Sequence, residues 1–190
     1  MNTSTSSFER NSKEFEPTLS CEANTSQPDE YFTNPPIRVF IEIEKGSDQK
    51  YEYNKQTQSL DLDRVLYPPY IYPYAYGFIP NTIAEDGDEL DILVITQTYI
   101  PKNTHVDVYI IGALLMEDEK GKDHKILTVP IDVYESGEIQ SIYDLSSNII
   151  ESIQTFFANY KNDYPEKWSK VYGFVGKPGA IQLYKDSRSI

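Results

Sequence analysis

The chain has 190 residues, 39% of them hydrophobic and 13% aromatic, which is enough for one domain with a substantial core. Its formal net charge of −13 makes it a poor candidate for wrapping nucleic acid or for lying on an anionic membrane. A single cysteine excludes an intrachain disulfide and a cysteine-based zinc cluster, and two histidines argue against a histidine-rich transition-metal site.

The N-terminal sequence lacks a basic start followed by an apolar run, and no apolar stretch reaches membrane-span length. We therefore expect a cytoplasmic protein that binds neither nucleic acid nor a membrane. Residues 1–30 are rich in Ser, Thr, Asn and Glu without an apolar period, which predicts a disordered tail ahead of one domain at 31–190.

Short strands dominate the first part of that domain. Alternating and β-branched patterns predict strands at 38–44, 50–53, 59–63, 90–95, 105–116 and 126–129. The last two form a hairpin with Lys120 and Gly121 at its tip. Between the third and fourth strands, dense Pro and Tyr residues at 63–78 exclude a helix and predict an ordered loop packed by aromatic rings.

The pattern then changes to a helical period. Apolar residues on one stripe predict a helix at 147–161, with Asn148 and Glu151 as its capping box. A short strand around 168–174 and a final helix from about Pro178 complete the chain. Strands first and helices last predict an α+β, mainly β fold, with a small closed barrel and packed helices.

The most informative segment holds three aspartates within six residues, just before an apolar strand. Asp86 and Asp88 are two apart, so an extended backbone would direct both the same way, and Gly87 permits a tight bend between them. Carboxylates this close repel one another, and a divalent cation with oxygen ligands relieves that repulsion. The alternative is a solvated acidic turn. An EF-hand is excluded because Asp91 and Gln97 stand where its loop needs Gly and Glu.

Other charged residues extend this prediction. Asp118 and Asp123 lie on opposite legs of the predicted hairpin, where two carboxylates can reach one metal. Aspartate ligands favour Mg²⁺ or Mn²⁺ over zinc, while lysine, arginine and tyrosine side chains can hold phosphate oxygens. A Gly-rich loop of the kind found in nucleotide triphosphatases is missing from the sequence. The residues themselves therefore predict a metal-assisted phosphoryl hydrolase acting on a small phosphate anion.

The same residues carry a family resemblance. From about 37 to 175 the chain resembles the soluble family I inorganic pyrophosphatases, whose signature fits D-G-D-E-L-D at 86–91. Six further motifs fit in order: I-E-I around Glu42, K-Y-E at 50–52, D-R ending at Arg64, Y-P-x-x-Y-G at 72–77, D-E-x-G-x-D-x-K at 118–125, and F-F-x-x-Y-K at 156–161. One departure is Glu89, which stands where proline is frequent in the family.

The resemblance implies a distorted five-stranded OB-like barrel with flanking helices and the hydrolysis of inorganic diphosphate to two orthophosphates. It implies Mg²⁺, with Mn²⁺ as a substitute, activating a water that bridges two metals. By the same similarity the metal ligands are Asp86, Asp91, Asp118 and Asp123, with Glu52 and more remotely Glu42 supporting a further ion. A homo-oligomer such as a hexamer is also implied.

The resemblance assigns the remaining roles residue by residue. Asp88 is the general base that helps to deprotonate the water. The phosphate-binding residues are Lys50, Arg64, Tyr76, Tyr160 and Lys161, assisted by Lys125 and Tyr72.

Two other functional classes stay open at this point. One is an OB-like module whose tyrosines stack on single-stranded nucleic acid, although the net charge of −13 and the acidic cluster count against it. The other is a structural cation-binding domain, which metal would stabilise without any turnover.

Overall fold

The computed structural model describes residues 33–188, so the predicted tail at 1–30 lies outside the described residues. Within them, the strands are β1 (Ile37–Ile43), β2 (Gln49–Asn54), β3 (Ser59–Val65), β4 (Ala75–Phe78), β5 (Asp91–Val94), β6 (Thr104–Asp118), β7 (Gly121–Lys122), β8 (Lys125–Pro130) and β9 (Ser169–Gly176). The helices are α1 (Ile131–Glu135), α2 (Ser147–Asn159) and α3 (Lys177–Ser187), with a 3₁₀ turn at Ile142–Asp144. None of these helices is both long and apolar enough to cross a membrane.

Five strands close into a ring, because β1 pairs with β4 on one side and with β6 on the other. Between them, β5 pairs antiparallel with β4 and parallel with β8, and β8 pairs antiparallel with β6. Closure gives hydrogen-bond partners to strands that would otherwise form two open sheet edges. The ring confirms the predicted fold class, which is α+β, mainly β, with a small closed five-stranded OB-like barrel and flanking helices.

Closure brings β1 and β4 unusually close at Gly77. This residue pairs with Ile41 in the register of the two strands. A Cβ atom at Gly77 would lie 1.9 Å from the carbonyl oxygen of Phe40, which is far inside any allowed contact. Only glycine therefore fits at this crossing, directly after Tyr76 in the sequence.

Two hydrophobic cores hold the helices to the sheet. Helix α2 buries Ile153 and Phe157 in one core, and α3 buries Ala180 and Ile181 in the other. Strands β2 and β3 form a separate two-stranded hairpin beside the barrel, hereafter the β2–β3 hairpin. The backbone N–H of Tyr53 in this hairpin donates a 2.7 Å hydrogen bond to the Glu42 carboxylate on β1.

The structure corrects three local predictions. Strand β4 lies inside the predicted loop at 63–78, because its pairing with β1 and β5 depends on residues distant in the chain. Helix α1 and the 3₁₀ turn were not predicted, since both are shorter than two turns of apolar period. The capping box at Asn148 and Glu151 is wrong: Ser146 is the N-cap of α2, so Asn148 is already helical.

Candidate active site

A cleft of about 740 Å³ lies beside the barrel and collects almost all the residues singled out in the sequence. It is bordered mainly by the β2–β3 hairpin, the acidic segment 85–91, the β6–β8 connection and the end of α2, and strands β1 and β4 also contribute side chains. Thirteen of the fourteen predicted site residues line it, namely Glu42, Lys50, Glu52, Arg64, Tyr76, Asp86, Asp88, Asp91, Asp118, Asp123, Lys125, Tyr160 and Lys161.

Tyr72 is the predicted residue that does not line the cleft. It is 1% exposed, and its ring packs behind the cleft wall, 5.3 Å from the Tyr76 ring and 4.9 Å from that of Phe156. Burial raises its pKa well above the ordinary range, as it does for Tyr76 and Tyr160. All three hydroxyls therefore remain neutral at ordinary pH.

Lys125 occupies the floor of the cleft. Its side chain is 2% exposed, and its Nζ donates to Asp91 Oδ2 at 2.5 Å and also to Asp123 Oδ1. The parallel register of β5 and β8 pairs Asp91 with Lys125, so the ion pair follows from strand alignment. The Tyr76 hydroxyl adds a 2.5 Å hydrogen bond to the same Asp91 oxygen.

The protonation equilibria of these groups reflect burial and charge together. Burial raises the pKa of Asp91, Lys125 opposes that shift, and the neighbouring Asp123 adds to it. Burial works to depress the pKa of Lys125, but Asp123 and Asp91 outweigh it and hold that pKa above its ordinary value. The lysine is therefore charged, and it serves as counter-ion to two carboxylates.

A second buried ion pair stands at the end of α2. Lys161, 5% exposed, donates to Asp118 Oδ2 at 2.5 Å and approaches Glu119 Oε2 at 3.4 Å. Burial opposes ionisation of Asp118, but the Lys161 hydrogen bond prevails and lowers its pKa. Asp118 and Asp123, which the sequence suggested could meet at one ion, thus face different lysines here.

The β2–β3 hairpin supplies the third group of charges. Cross-strand register pairs Lys50 with Arg64. Between them, Asp63 Oδ2 accepts a 3.1 Å hydrogen bond from Lys50 Nζ and forms an ion pair with Arg64 Nη2 at 3.2 Å, and Lys50 also donates to Glu52. The Nε of Arg64 is buried and has no hydrogen-bond partner among residues 33–188.

Asp63 is a site residue that sequence reasoning missed. Burial would raise its pKa, but Lys50 and Arg64 together hold it below the ordinary value. The signal that could have found it is the hairpin register, which aligns the two cations on either side of this carboxylate. Glu119 was missed for a similar reason, because its contacts to Lys161 and Lys167 bridge more than 40 positions of the chain.

The acidic segment forms a turn and not an extended strand. Gly87 has a φ of +90°, a conformation that favours glycine, and the Asp88 N–H donates to Asp86 Oδ1 at 3.2 Å. Asp86 is half-buried, whereas the Asp88 side chain is 71% exposed and lies 3.7 Å from Lys120 Nζ. The predicted bend at Gly87 is confirmed, and both carboxylates still border the cleft.

The donor chemistry of the cleft fits a hard divalent cation. Its acids offer only oxygen ligands, which Mg²⁺ and similar ions prefer. Burial raises the pKa of Glu42 to about 8, and a nearby cation would favour the charged form of this group and of Asp91. No three acidic, histidine or cysteine side chains within residues 33–188 are already gathered around one point, since lysines face several of the carboxylates.

A closed five-stranded barrel with a cleft of carboxylates, lysines and tyrosines defines a hydrolase of phosphoric anhydrides. Residues 39–189 match the family model described as inorganic pyrophosphatase. The chain therefore belongs to the inorganic pyrophosphatases, in the family I group, and it is an enzyme of the inorganic diphosphatase class.

Individual relatives support this membership along most of the chain. The chain is 44% identical over 154 residues to an inorganic pyrophosphatase of Nanoarchaeum equitans, covering 80% of this chain and 95% of that protein. A solved pyrophosphatase structure from Helicobacter pylori superposes with a TM-score of 0.77 at 40% identity, covering 80% of this chain and 91% of that one. A pyrophosphatase structure from Thermus thermophilus has the same TM-score at 39% identity, covering 80% and 89%.

Proposed function

We propose that this protein hydrolyses inorganic diphosphate to two orthophosphates, using Mg²⁺, with Mn²⁺ as a substitute. The observation that carries the proposal is the buried Lys125, whose ammonium joins Asp91 and Asp123 at the floor of a cleft edged by further cations. A cleft that holds both carboxylates and cationic side chains suits a ligand that combines a metal ion with a polyanion. Family membership supports the same reaction.

The acids of the cleft would hold the metal. The proposed ligands are Asp86, Asp91, Asp118, Asp123, Glu52 and, more remotely, Glu42. When bound, Mg²⁺ would polarise the attacking water and neutralise charge on the leaving oxygen. Supporting this role, the pKa values of Asp91 and Glu42 are raised chiefly by burial, and a nearby cation would favour the ionised form of both carboxylates.

The cations and hydroxyls would hold the two phosphate groups. The proposed residues are Lys50, Arg64, Tyr76, Tyr160 and Lys161, assisted by Lys125 and, from behind the cleft wall, Tyr72. A buried donor without a partner costs free energy, so the N–H at Nε of Arg64 is suited to donate a hydrogen bond to a phosphate oxygen. The neutral tyrosine hydroxyls can donate hydrogen bonds without repelling the anion.

Asp88 is proposed as the general base. Its side chain is 71% exposed at the cleft edge and makes one long contact to Lys120, so it is less constrained than the buried aspartates. A carboxylate in that position can take a proton from a water while the anhydride oxygen leaves. We also propose that the protein forms a homo-oligomer such as a hexamer, and this proposal does not depend on the role of Asp88.

The deciding experiment measures phosphate release from diphosphate with Mg²⁺, with Mn²⁺ and with EDTA. Asp91→Asn keeps the size of the side chain and removes its charge, and we expect it to abolish release while the thermal unfolding transition persists. Asp107→Asn is the matched control, since Asp107 is an exposed aspartate paired with Arg38 away from the cleft. Full activity in Asp91→Asn would contradict the proposal, and metal-induced stabilisation without turnover would identify a structural cation-binding domain.

A further inference from the structure

A second hollow of about 270 Å³ lies beside the catalytic cleft. Its walls are four rings, from Phe40, Tyr53, Phe78 and His105. The Phe40 ring stands 4.9 Å from Tyr53, 5.4 Å from Phe78 and 5.1 Å from His105, in tilted or edge-to-face arrangements. We call this hollow the ring pocket.

The ring pocket is separate from the two hydrophobic cores. Among the described residues, Phe40, Tyr53 and Phe78 are members of neither core, although Phe40 is only 6% exposed. His105 is exposed, and Tyr53 and Phe78 are half-buried, so the four rings line an open groove at the surface. This groove has room for a flat apolar group.

The ring pocket and the catalytic cleft share a wall. Tyr53, Phe78, Lys55 and Glu89 line both cavities. On this shared wall, Lys55 Nζ lies 2.6 Å from Glu89 Oε1, which joins the β2–β3 hairpin to the acidic segment. A ligand seated in the ring pocket can thus extend past this ion pair into the adjoining cleft.

Two polar side chains at the ring pocket make no hydrogen bond to the rest of the described residues. Within residues 33–188, neither the amide of Asn81 nor the imidazole of His105 makes a side-chain hydrogen bond. Rings for stacking together with free donors and acceptors match the edge and faces of a nucleobase. A purely aliphatic ligand would leave those polar groups unpaired.

Volume indicates how much of a ligand the ring pocket can hold. Pockets that bury a whole drug-sized ligand measure roughly 300–1,000 Å³, and the ring pocket is just below that range. It therefore suits one part of a ligand, with the remainder in the adjoining cleft of about 740 Å³.

We propose that the protein binds a nucleoside diphosphate, with its base in the ring pocket and its two phosphates in the catalytic cleft. This inference rests on the proposed function for the cleft's preference for a diphosphate. The sugar passes the Lys55–Glu89 ion pair on the shared wall. Because both ligands need the same cations, the nucleotide competes with inorganic diphosphate and inhibits its hydrolysis.

The test compares ADP with methyl diphosphate, which has the same charged group but no base. Calorimetry with Mg²⁺ gives both dissociation constants without requiring turnover, and phosphate-release assays give both inhibition constants. Base stacking on aromatic side chains is worth about 1–3 kcal/mol, so ADP should bind about 5- to 150-fold more tightly. Equal affinity of the two ligands would overturn the proposal.

A pair of variants locates the base. His105 is exposed and lines the ring pocket but not the cleft, so His105→Val should leave diphosphate hydrolysis unchanged. It should lower the affinity ratio of ADP to methyl diphosphate by about 3-fold or more. Tyr143→Val is the control, because Tyr143 is 85% exposed and lines neither cavity, and it should preserve the ratio.

The remaining outcomes separate the two proposals. An unchanged ratio in His105→Val would overturn the assignment of the base to the ring pocket, even if ADP binds well. If the protein binds methyl diphosphate but releases no phosphate from diphosphate, the proposed function fails. The ratio of the dissociation constants of ADP and methyl diphosphate would then still decide whether the ring pocket binds the base.

Discussion

Asp91 and Lys125 face each other across the parallel pair of strands β5 and β8, with 2.5 Å between Oδ2 and Nζ. The lysine also bonds Asp123 two positions earlier in the chain, so one buried ammonium shares its single positive charge between two carboxylates. Removing that ammonium leaves two partly buried negative charges without their counter-ion. Charge balance at the floor of the cleft therefore depends on this single side chain or on a cation that replaces it.

Substituting Lys125→Met tests that dependence. Breaking a buried ion pair by removing one partner typically costs about 3–5 kcal/mol, and we expect a loss of about that size in the free energy of unfolding, measured with urea in EDTA. Added Mg²⁺ should recover part of the loss, because it can neutralise the same carboxylates. Lys122→Met is the control, since Lys122 pairs with Glu85 at the surface and its loss should leave the free energy of unfolding nearly unchanged. Equal losses in the two variants would refute this account of Lys125.

A second prediction concerns Asp63, which orients two cations on the β2–β3 hairpin. Asp63→Asn keeps the shape of the side chain but weakens its bonds to Lys50 and Arg64. We expect the KM for diphosphate to rise about 10-fold with a smaller fall in kcat, because charge-assisted bonds that hold the binding residues are lost.

Asp61→Asn serves as its control. Asp61 lies on the same strand, accepts a 2.8 Å bond from Asn54 and does not line the cleft. Its KM should match that of the unaltered protein. A fall in kcat for Asp63→Asn with no change in KM would show that Asp63 does not position the binding residues.

A third prediction follows from Glu42, whose pKa burial raises from 4.5 to about 8. Between those two values the folded protein keeps a proton that the unfolded chain has lost. Stability should therefore fall as pH rises through this window, by at most about 1.4 kcal/mol per pH unit. Urea unfolding in EDTA at pH 5 to 8 measures this slope.

Glu42→Gln should flatten the slope, because the amide has no proton to lose. Glu151→Gln, at an exposed position on α2, should retain it. If the slope of Glu42→Gln equals that of the unaltered protein, other groups must carry the pH dependence.

Local patterns predicted the elements that depend on local order. Apolar residues at helical spacing found α2, whose observed range of Ser147–Asn159 lies within the predicted 147–161. Alternation found β1 and β6, and the glycine in the acidic segment predicted the turn at Gly87. Strand β4 was not predicted, because its four residues form a strand only by pairing with β1 and β5.

The candidate site shows the same division. Motif order identified the acids, lysines and tyrosines, and thirteen of the fourteen chosen residues share one cleft. Their individual roles stay predictions. The Asp63 contacts depend on the register of the β2–β3 hairpin, and the ring pocket needs side chains from β1, β2, β4 and β6, so no short segment signalled either of them.

The sequence by itself determined which reactive side chains are present: an excess of carboxylates, one cysteine and two histidines. It also determined the run of motifs that identified the family. Only the tertiary structure decided which lysine pairs with which carboxylate. Lys125 lies 34 positions from Asp91, and Lys161 lies 43 positions from Asp118. Asp91 meets Lys125 because the closed barrel fixes strand register, and Lys161 reaches Asp118 because α2 packs against the sheet. Register and packing are properties of the whole fold that no short segment contains.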